Sequence, residues 1–158
     1  MGIGPDEYRE TLKNYGSGVT IVTVEVNGTS HGMTASSFAS VSLIPPLVLV
    51  CLAKNARTHE LVLQKKSFAV NVLRAGQEAI AKAFARPGPK TFGESWDLRA
   101  ADGAPLTSSA LARLECSVVD VFEGGDHDIV VAEVLASEWE EGQPLIYFNR
   151  HYRSVLDT

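Results

Sequence analysis

A basic surface is missing from this sequence. Lys and Arg total 14 against 19 Asp and Glu, giving a formal charge of −5. No basic cluster stands out, which argues against a nucleic-acid partner, whose binding rests on cationic surface. Cysteine is equally scarce. The two thiols, Cys51 and Cys116, sit far apart in strand-like apolar sequence without C-x-x-C spacing and read as small buried hydrophobes. The four histidines, His31, His59, His127 and His151, show no zinc-ligand spacing, so no metal site is expected. No segment nears the ~18 apolar residues of a membrane span, and the opening MGIGPDEYRE has no signal-peptide pattern. The expectation is a cytoplasmic protein with no membrane partner. Also absent is a G-x-G-x-x-G that follows a strand and opens a helix, so no dinucleotide would be held by a Rossmann unit.

What is present is globular: 45% apolar and 21% charged residues over 158 positions, without a repeat or linker, predict a single domain spanning 1–158. Asp6 is an N-cap candidate for a short helix carrying Tyr8, Leu12 and Tyr15 on one face and ending at Gly16. VTIVTVEV, residues 19–26, is a strand. Asn27-Gly28 then turns the chain into an antiparallel partner. Pro45-Pro46 marks a break, after which LVLVCLA, residues 47–53, reads as a strand covered on both faces. Thr58 is an N-cap candidate for a second helix, and SFAVNVL, residues 67–73, is a strand. AGQEAIAKAFA is a third helix with Ile80, Ala83 and Phe84 inward. Residues 90–109 read as loop, pinned by Trp96 and Leu98. Two long strands, 115–122 and 127–139, flank a turn at Glu123-Gly124-Gly125-Asp126. PLIYFN is a last strand and HYRSV a tail. Some six strands with short helices between them predict a mainly β fold, a closed antiparallel barrel.

Three stretches carry candidate chemistry. In the hydroxyl-rich arm from His31 to Ser42, strand alternation puts Thr34 and Ser36 on one face with Phe38, and Ala35 and Ser37 on the other. Its small side chains leave room for a flat polar ring, or they mark a solvated edge strand. Lys54 to Thr58 joins a strand end to a helix N-terminus, where free N–H groups, Lys54, Arg57 and the Thr58 hydroxyl suit a phosphate, or form an ordinary cap. Lys90 could add charge there. Gly125-Asp126-His127-Asp128 offers either a turn histidine or one held at a barrel rim.

In this order SGVTIVT, HGMTASSFASVSLIPPLVLVC, KNARTHE, FARPGPKTF, GDHDIVVAEV and PLIYFNRHYR resemble the flavin reductase-like family, the reductase components of two-component flavin monooxygenases. The resemblance implies an FMN-binding split barrel: an antiparallel split β-barrel with a few short helices. It implies an NAD(P)H-dependent flavin reductase (EC 1.5.1.-) passing hydride from NADH or NADPH to FMN or FAD, and a monooxygenase that receives the reduced flavin. By the same resemblance, Thr34, Ala35, Ser36 and Ser37 line the ring with Ser42 and Ala53 nearby. Asn55, Ala56, Arg57 and Thr58 hold the phosphate, and His127 positions the nicotinamide. Pro45-Pro46 shapes the floor of the slot. Ala56 departs from the serine that relatives often carry, which removes one phosphate hydrogen bond. A homodimer is implied, with YFNRHYR as a contact. The rival from another class is a non-catalytic flavin-binding or storage protein on the same barrel.

Overall fold

The computed structural model describes residues 2–155; Met1 and residues 156–158, which the predicted domain also included, lie outside them. Helix α1 (Pro5–Leu12) leads through β1 (Ser17–Gly18) into a hairpin of β2 (Thr20–Val26) and β3 (Thr29–Ala35). Its turn is the expected one: Asn27 and Gly28 both take positive φ, 53° and 79°. β4 (Phe38–Ser42) and β5 (Leu47–Ala53) follow, then α2 (Arg57–Lys65), β6 (Ser67–Val72) and α3 (Glu78–Ala85). The minimal strands β7 (Leu98–Arg99) and β8 (Pro105–Leu106) punctuate the predicted loop. The long pair β9 (Ala112–Gly124) and β10 (His127–Trp139) precedes β11 (Leu145–Phe148) and β12 (His151–Ser154).

Seven strands form one antiparallel sheet in the order β3-β2-β6-β9-β10-β5-β4. Its two edges, β3 and β4, are consecutive in sequence and joined only by Ser36 and Ser37. Flat, seven strands would hold their edges about 29 Å apart. Two linking residues reach only about 11 Å. The sheet therefore rolls until its edges meet at Ser37, whose hydroxyl donates to the Cys51 carbonyl at 2.8 Å and whose own carbonyl accepts the Cys51 N–H at 3.1 Å. No ladder joins β3 to β4 or β5 among the described residues, so the expected closed barrel is instead a split one.

The core follows strand alternation. Val22 and Val24 of β2 face the barrel interior with Val48, Val50, Leu52, Phe68, Val70 and Val130, where Leu61 and Val62 of α2 also insert. Val19 and Ile21 point the other way, under α3, with Leu73, Ala81, Phe84, Trp96 and Leu145. Thus β2 is the strand covered on both faces. In β5 only Val48, Val50 and Leu52 are buried, because among the described residues no element covers its outer face. Three local expectations shift in the same way. Ala81 rather than Ala83 is α3's inward alanine, Leu98 is exposed rather than a pin, and Phe92 joins Phe84 and Trp96 in the aromatic cluster instead. The tail is a strand, because Asn149 and Arg150 turn it back onto β11.

Candidate functional site

α2 starts where Ala56 adopts an extended backbone, and no side chain caps it. The first-turn N–H groups are left for whatever occupies the adjoining space. Thr58, expected as the N-cap, lies one residue inside the helix, fully buried, with its hydroxyl 2.9 Å from His31 Nδ1. Together these elements wall a cleft of about 440 Å³. One side is β3 from His31 to Thr34, another is Asn55 to Thr58, and the third runs from Phe84 through Arg86 and Gly88 to Lys90.

The cleft gathers Arg57, Arg86, Lys90 and His31, and no carboxylate lines it. In a chain of net charge −5 this is a local inversion of sign. Arg57 is held by Glu60 at 2.7 Å along the helix, and the Lys90 ammonium donates to the Arg86 carbonyl, folding the loop over itself. Burial lowers the Lys90 pKa below its ordinary value. His31 is also lowered, first by burial and then by the charges of Lys90 and Arg57.

Thr34 donates its hydroxyl to the Ala81 carbonyl at 2.6 Å, which ties β3 to α3 and sets the width of the cleft. The space continues past it. A narrower cleft of about 100 Å³ shares Thr34 and Ala85 with the first and adds Ser36, Tyr147 and Tyr152. Beyond it a cleft of about 560 Å³ shares Ser36 and Tyr147, adds Ser37 and Phe148, and is faced by Tyr8, Leu12 and Tyr15 from α1 and the residues after it. The result is a row of adjoining clefts, cationic at the α2 end, aromatic but also bearing Arg9, Lys13 and Arg150 at the α1 end, with small hydroxyl residues between. This also accounts for α1, which buries no residue of its own yet aligns its apolar side along that row.

Of the residues singled out from sequence, the structure brings Thr34, Ser36, Ser37, Asn55, Ala56, Arg57, Thr58 and Lys90 to this row of clefts. Ala35 points its side chain into the core. Ser42 sits opposite Leu47 beside a bulge, and Ala53 pairs with His127; none of the three lines these clefts. The His127 side chain is 44% exposed with Nδ1 2.7 Å from Asp126. The Lys54 N–H bonds the Asp126 carbonyl at 3.0 Å, so that hairpin tip adjoins the turn leading to Asn55. Pro45 and Pro46 lie in an exposed turn, with a cis bond at Pro45, and line none of these clefts. His31, Arg86, Gly88, Tyr147 and Tyr152 carry no site role in the sequence reading, although all five fall in the quoted motifs and Tyr147 and Tyr152 lie in the YFNRHYR stretch expected at a dimer contact. Folding brings them to the clefts.

Residues 12–156 match the family described as Flavin reductase like domain. The chain is 41% identical over 153 residues to the NADH-dependent FAD reductase of Streptomyces globisporus, covering 93% of this chain and 84% of the relative. It is 38% identical over 146 residues to the reductase component of the 4-nitrophenol 4-monooxygenase/4-nitrocatechol 2-monooxygenase of Rhodococcus opacus, with 92% and 78% covered. BorF, the flavin reductase component of a bacterial two-component tryptophan halogenase, superposes with a TM-score of 0.91 at 36% identity over 98% of this chain and all of that one. The Streptomyces globisporus NADH:FAD oxidoreductase SgcE6, in complex with NAD and FAD fragments, gives a TM-score of 0.91 at 37% identity over 99% and 97%. The chain belongs to the flavin reductase-like domain family.

Proposed function

We propose that this chain, acting as one domain, is an NAD(P)H:flavin oxidoreductase that reduces FMN or FAD and supplies the reduced flavin to a partner monooxygenase. The observation that carries the reading is the carboxylate-free cationic cleft at the start of α2, adjoining an aromatic-lined space by way of Thr34 and Ser36. Those residues fit a phosphorylated, flat, amphipathic ligand. The uncapped first turn of α2, with Arg57, Arg86 and Lys90, would hold the phosphate end. Hydrogen bonds to such charged groups contribute about 1.5–3 kcal/mol each. The ring would extend along Thr34, Ser36 and Ser37 toward Tyr147 and Tyr152.

The chemistry supplied by the bound flavin is acceptance of a hydride from NADH or NADPH. The protein's part is placement. Thr34 and Ser37 have their hydroxyl protons committed to the Ala81 and Cys51 carbonyls, so they fix the walls rather than move protons. No side chain is assigned as acid or base. His127, exposed at the hairpin tip beside Lys54, is assigned to orient the nicotinamide end. Ala35 and Ala53 are assigned backbone contacts and Ser42 a supporting place in β4.

The proposed enzyme is a homodimer working in the cytoplasm. The outer face of β5 and its neighbours supports the dimer: Leu49 lies opposite Ala39 and Val131, Cys51 opposite Ile129, and Leu43 and Ile44 are 85% and 90% exposed beside them. Both cysteines are free, as a reducing compartment requires, and no helix among the described residues is long and apolar enough to cross a membrane. The test is anaerobic: FMN or FAD in excess, then NADH, at catalytic protein concentration. Rapid loss of the flavin's visible absorption is the expected result. Stoichiometric binding without bleaching would turn the assignment to flavin storage.

A further inference from the structure

His31 occupies a place that the hydride-transfer reading does not use. It lies on β3 in the cationic cleft, paired with Val24 of β2 and set between two walls: its Nδ1 is 2.9 Å from the hydroxyl of Thr58 in α2, and the backbone of Gly88, in the loop after α3, favours its protonated form. Those partners belong to elements that touch the cleft from different sides. The charged groups nearest the ring are Arg57 from α2 and Lys90 from the loop, with Arg86 on the same wall; α3 contributes the uncharged Phe84, and no carboxylate faces the cleft.

We propose that His31 is a positioning residue that clasps the α2 turn to the Arg86–Lys90 loop and takes up a proton when the phosphate of a bound flavin nucleotide enters the cleft. The proposal rests on the phosphorylated-flavin reading. Without ligand, burial and the two neighbouring cations disfavour an imidazolium, and the ring is largely neutral near pH 7. An entering phosphate cancels the repulsion from Arg57 and Lys90 and adds attraction of its own, so the ring's proton affinity rises. The sign follows from linkage. Binding is weakest above the higher, ligand-bound pKa, tightens as pH falls through it, and levels off below the lower, ligand-free one. The charged ring keeps its Thr58 partner, because a protonated Nδ1 donates to the hydroxyl oxygen, and the Gly88 backbone favours that charged form.

FAD is the probe, because the terminal phosphate of FMN titrates near pH 6 and would mix its own proton into the result. Calorimetric titration of the full chain with FAD, at about pH 6.5 in two buffers of different ionisation heat, should show net uptake of a fraction of a proton per FAD. Riboflavin, which has no phosphate, should show none. FAD should bind about tenfold more tightly near pH 5.5 than near pH 8, and His31→Gln should flatten that dependence and abolish the uptake. The variant separates His31 from His59 and His127, which lie near the cleft against Asp128 and Asp126. Absence of uptake by the wild-type chain, equal uptake with riboflavin, or unchanged uptake in a folded His31→Gln protein would each overturn the clasp. If His31→Gln does not fold, the wild-type comparison of FAD with riboflavin decides alone. FAD binding and reduction without uptake removes the clasp and leaves the flavin reductase standing; failure to bind FAD at any pH removes both.

Discussion

Replacing Gly32 by alanine tests how the cleft is held to its width. Gly32 is buried on β3 opposite Thr23, and its φ lies outside the left-handed region, so an alanine there meets steric rather than conformational resistance. An added Cβ would stand 3.0 Å from the Val22 carbonyl oxygen and 3.2 Å from two atoms of the Phe84 ring. Neither neighbour can yield cheaply. Val22 belongs to β2, which is paired on both sides by β3 and β6, and Phe84 is locked among Phe92 and Trp96 with centroids at 5.3 and 5.1 Å. Relief must come from α3 moving off β3, against the bond from Thr34 to Ala81 that ties the same two elements. Overpacking of this kind costs about 1–3 kcal/mol. Removing glycine's extra freedom in the unfolded chain returns about 0.5–1 kcal/mol, so a net loss of about 1–2 kcal/mol is expected. At this chain length that is a fall in Tm of about 3–6 °C. FAD affinity should fall with it, since Phe84 to Gly88 form one wall of the cleft. The assay is thermal unfolding of Gly32→Ala, Phe84→Leu and the double variant, with flavin fluorescence titration of each. If the clash with the ring is the cause, the double variant is more stable than the sum of the two single effects by at least about 0.5 kcal/mol. A Gly32→Ala protein within about 0.5 kcal/mol of wild type, or strict additivity, refutes the reasoning.

Arg57→Gln and Lys90→Gln should each weaken FMN and FAD binding by about tenfold or more while leaving riboflavin binding nearly unchanged, because each removes one charged donor from the phosphate end; fluorescence quenching by the three flavins checks this. His127→Ala should raise KM for NADH roughly five- to tenfold with flavin affinity unaltered, read from steady-state kinetics beside a flavin titration; an unchanged KM and kcat would end its assignment to the nicotinamide. The double substitution Leu43→Asp, Ile44→Asp should convert the proposed dimer to monomer in light scattering at micromolar concentration. Two apolar side chains that lose about 1.5–3 kcal/mol of burial apiece raise the dissociation constant by a hundredfold or more. A wild-type chain that is already monomeric would remove the dimer itself.

The elements were legible where local chemistry and tertiary placement agree. β2 and β3 follow from β-branched alternation and the Asn27-Gly28 turn, and β9 and β10 from the glycine pair between them. Helix starts were legible only to within a residue or two. Pro5 begins α1 after Gly4, ahead of Asp6, because proline loses nothing at a first helical position. Arg57 begins α2 ahead of Thr58, whose hydroxyl is drawn instead to His31. The last strand reads as a tail in sequence because its turn uses Asn149 and Arg150 at φ 51° and 62°, with no glycine to announce it. Burial of β5 on both faces was inferred from an unbroken apolar run, and such a run cannot distinguish cover by this chain from cover by another copy.

The site was half legible for a topological reason. Hydroxyl residues of the arm and the Asn55–Thr58 turn are contiguous in sequence, so composition could flag them. The cationic end is assembled from three separate segments, His31 on β3, Arg57 at the start of α2, and Arg86 with Lys90 in the loop after α3. What brings them together is the jump from β3 to β4. Because those strands are neighbours in sequence but opposite edges of the sheet, the rolled sheet has a seam where backbone pairing stops, and Ser36 and Ser37 sit in it. The row of clefts from Arg57 to Tyr15 passes through that seam. Closing it with a continuous ladder would satisfy the edge strands and leave no slot, so the proposed ring-binding cleft, without a Rossmann unit, depends on the sheet staying split at these two serines.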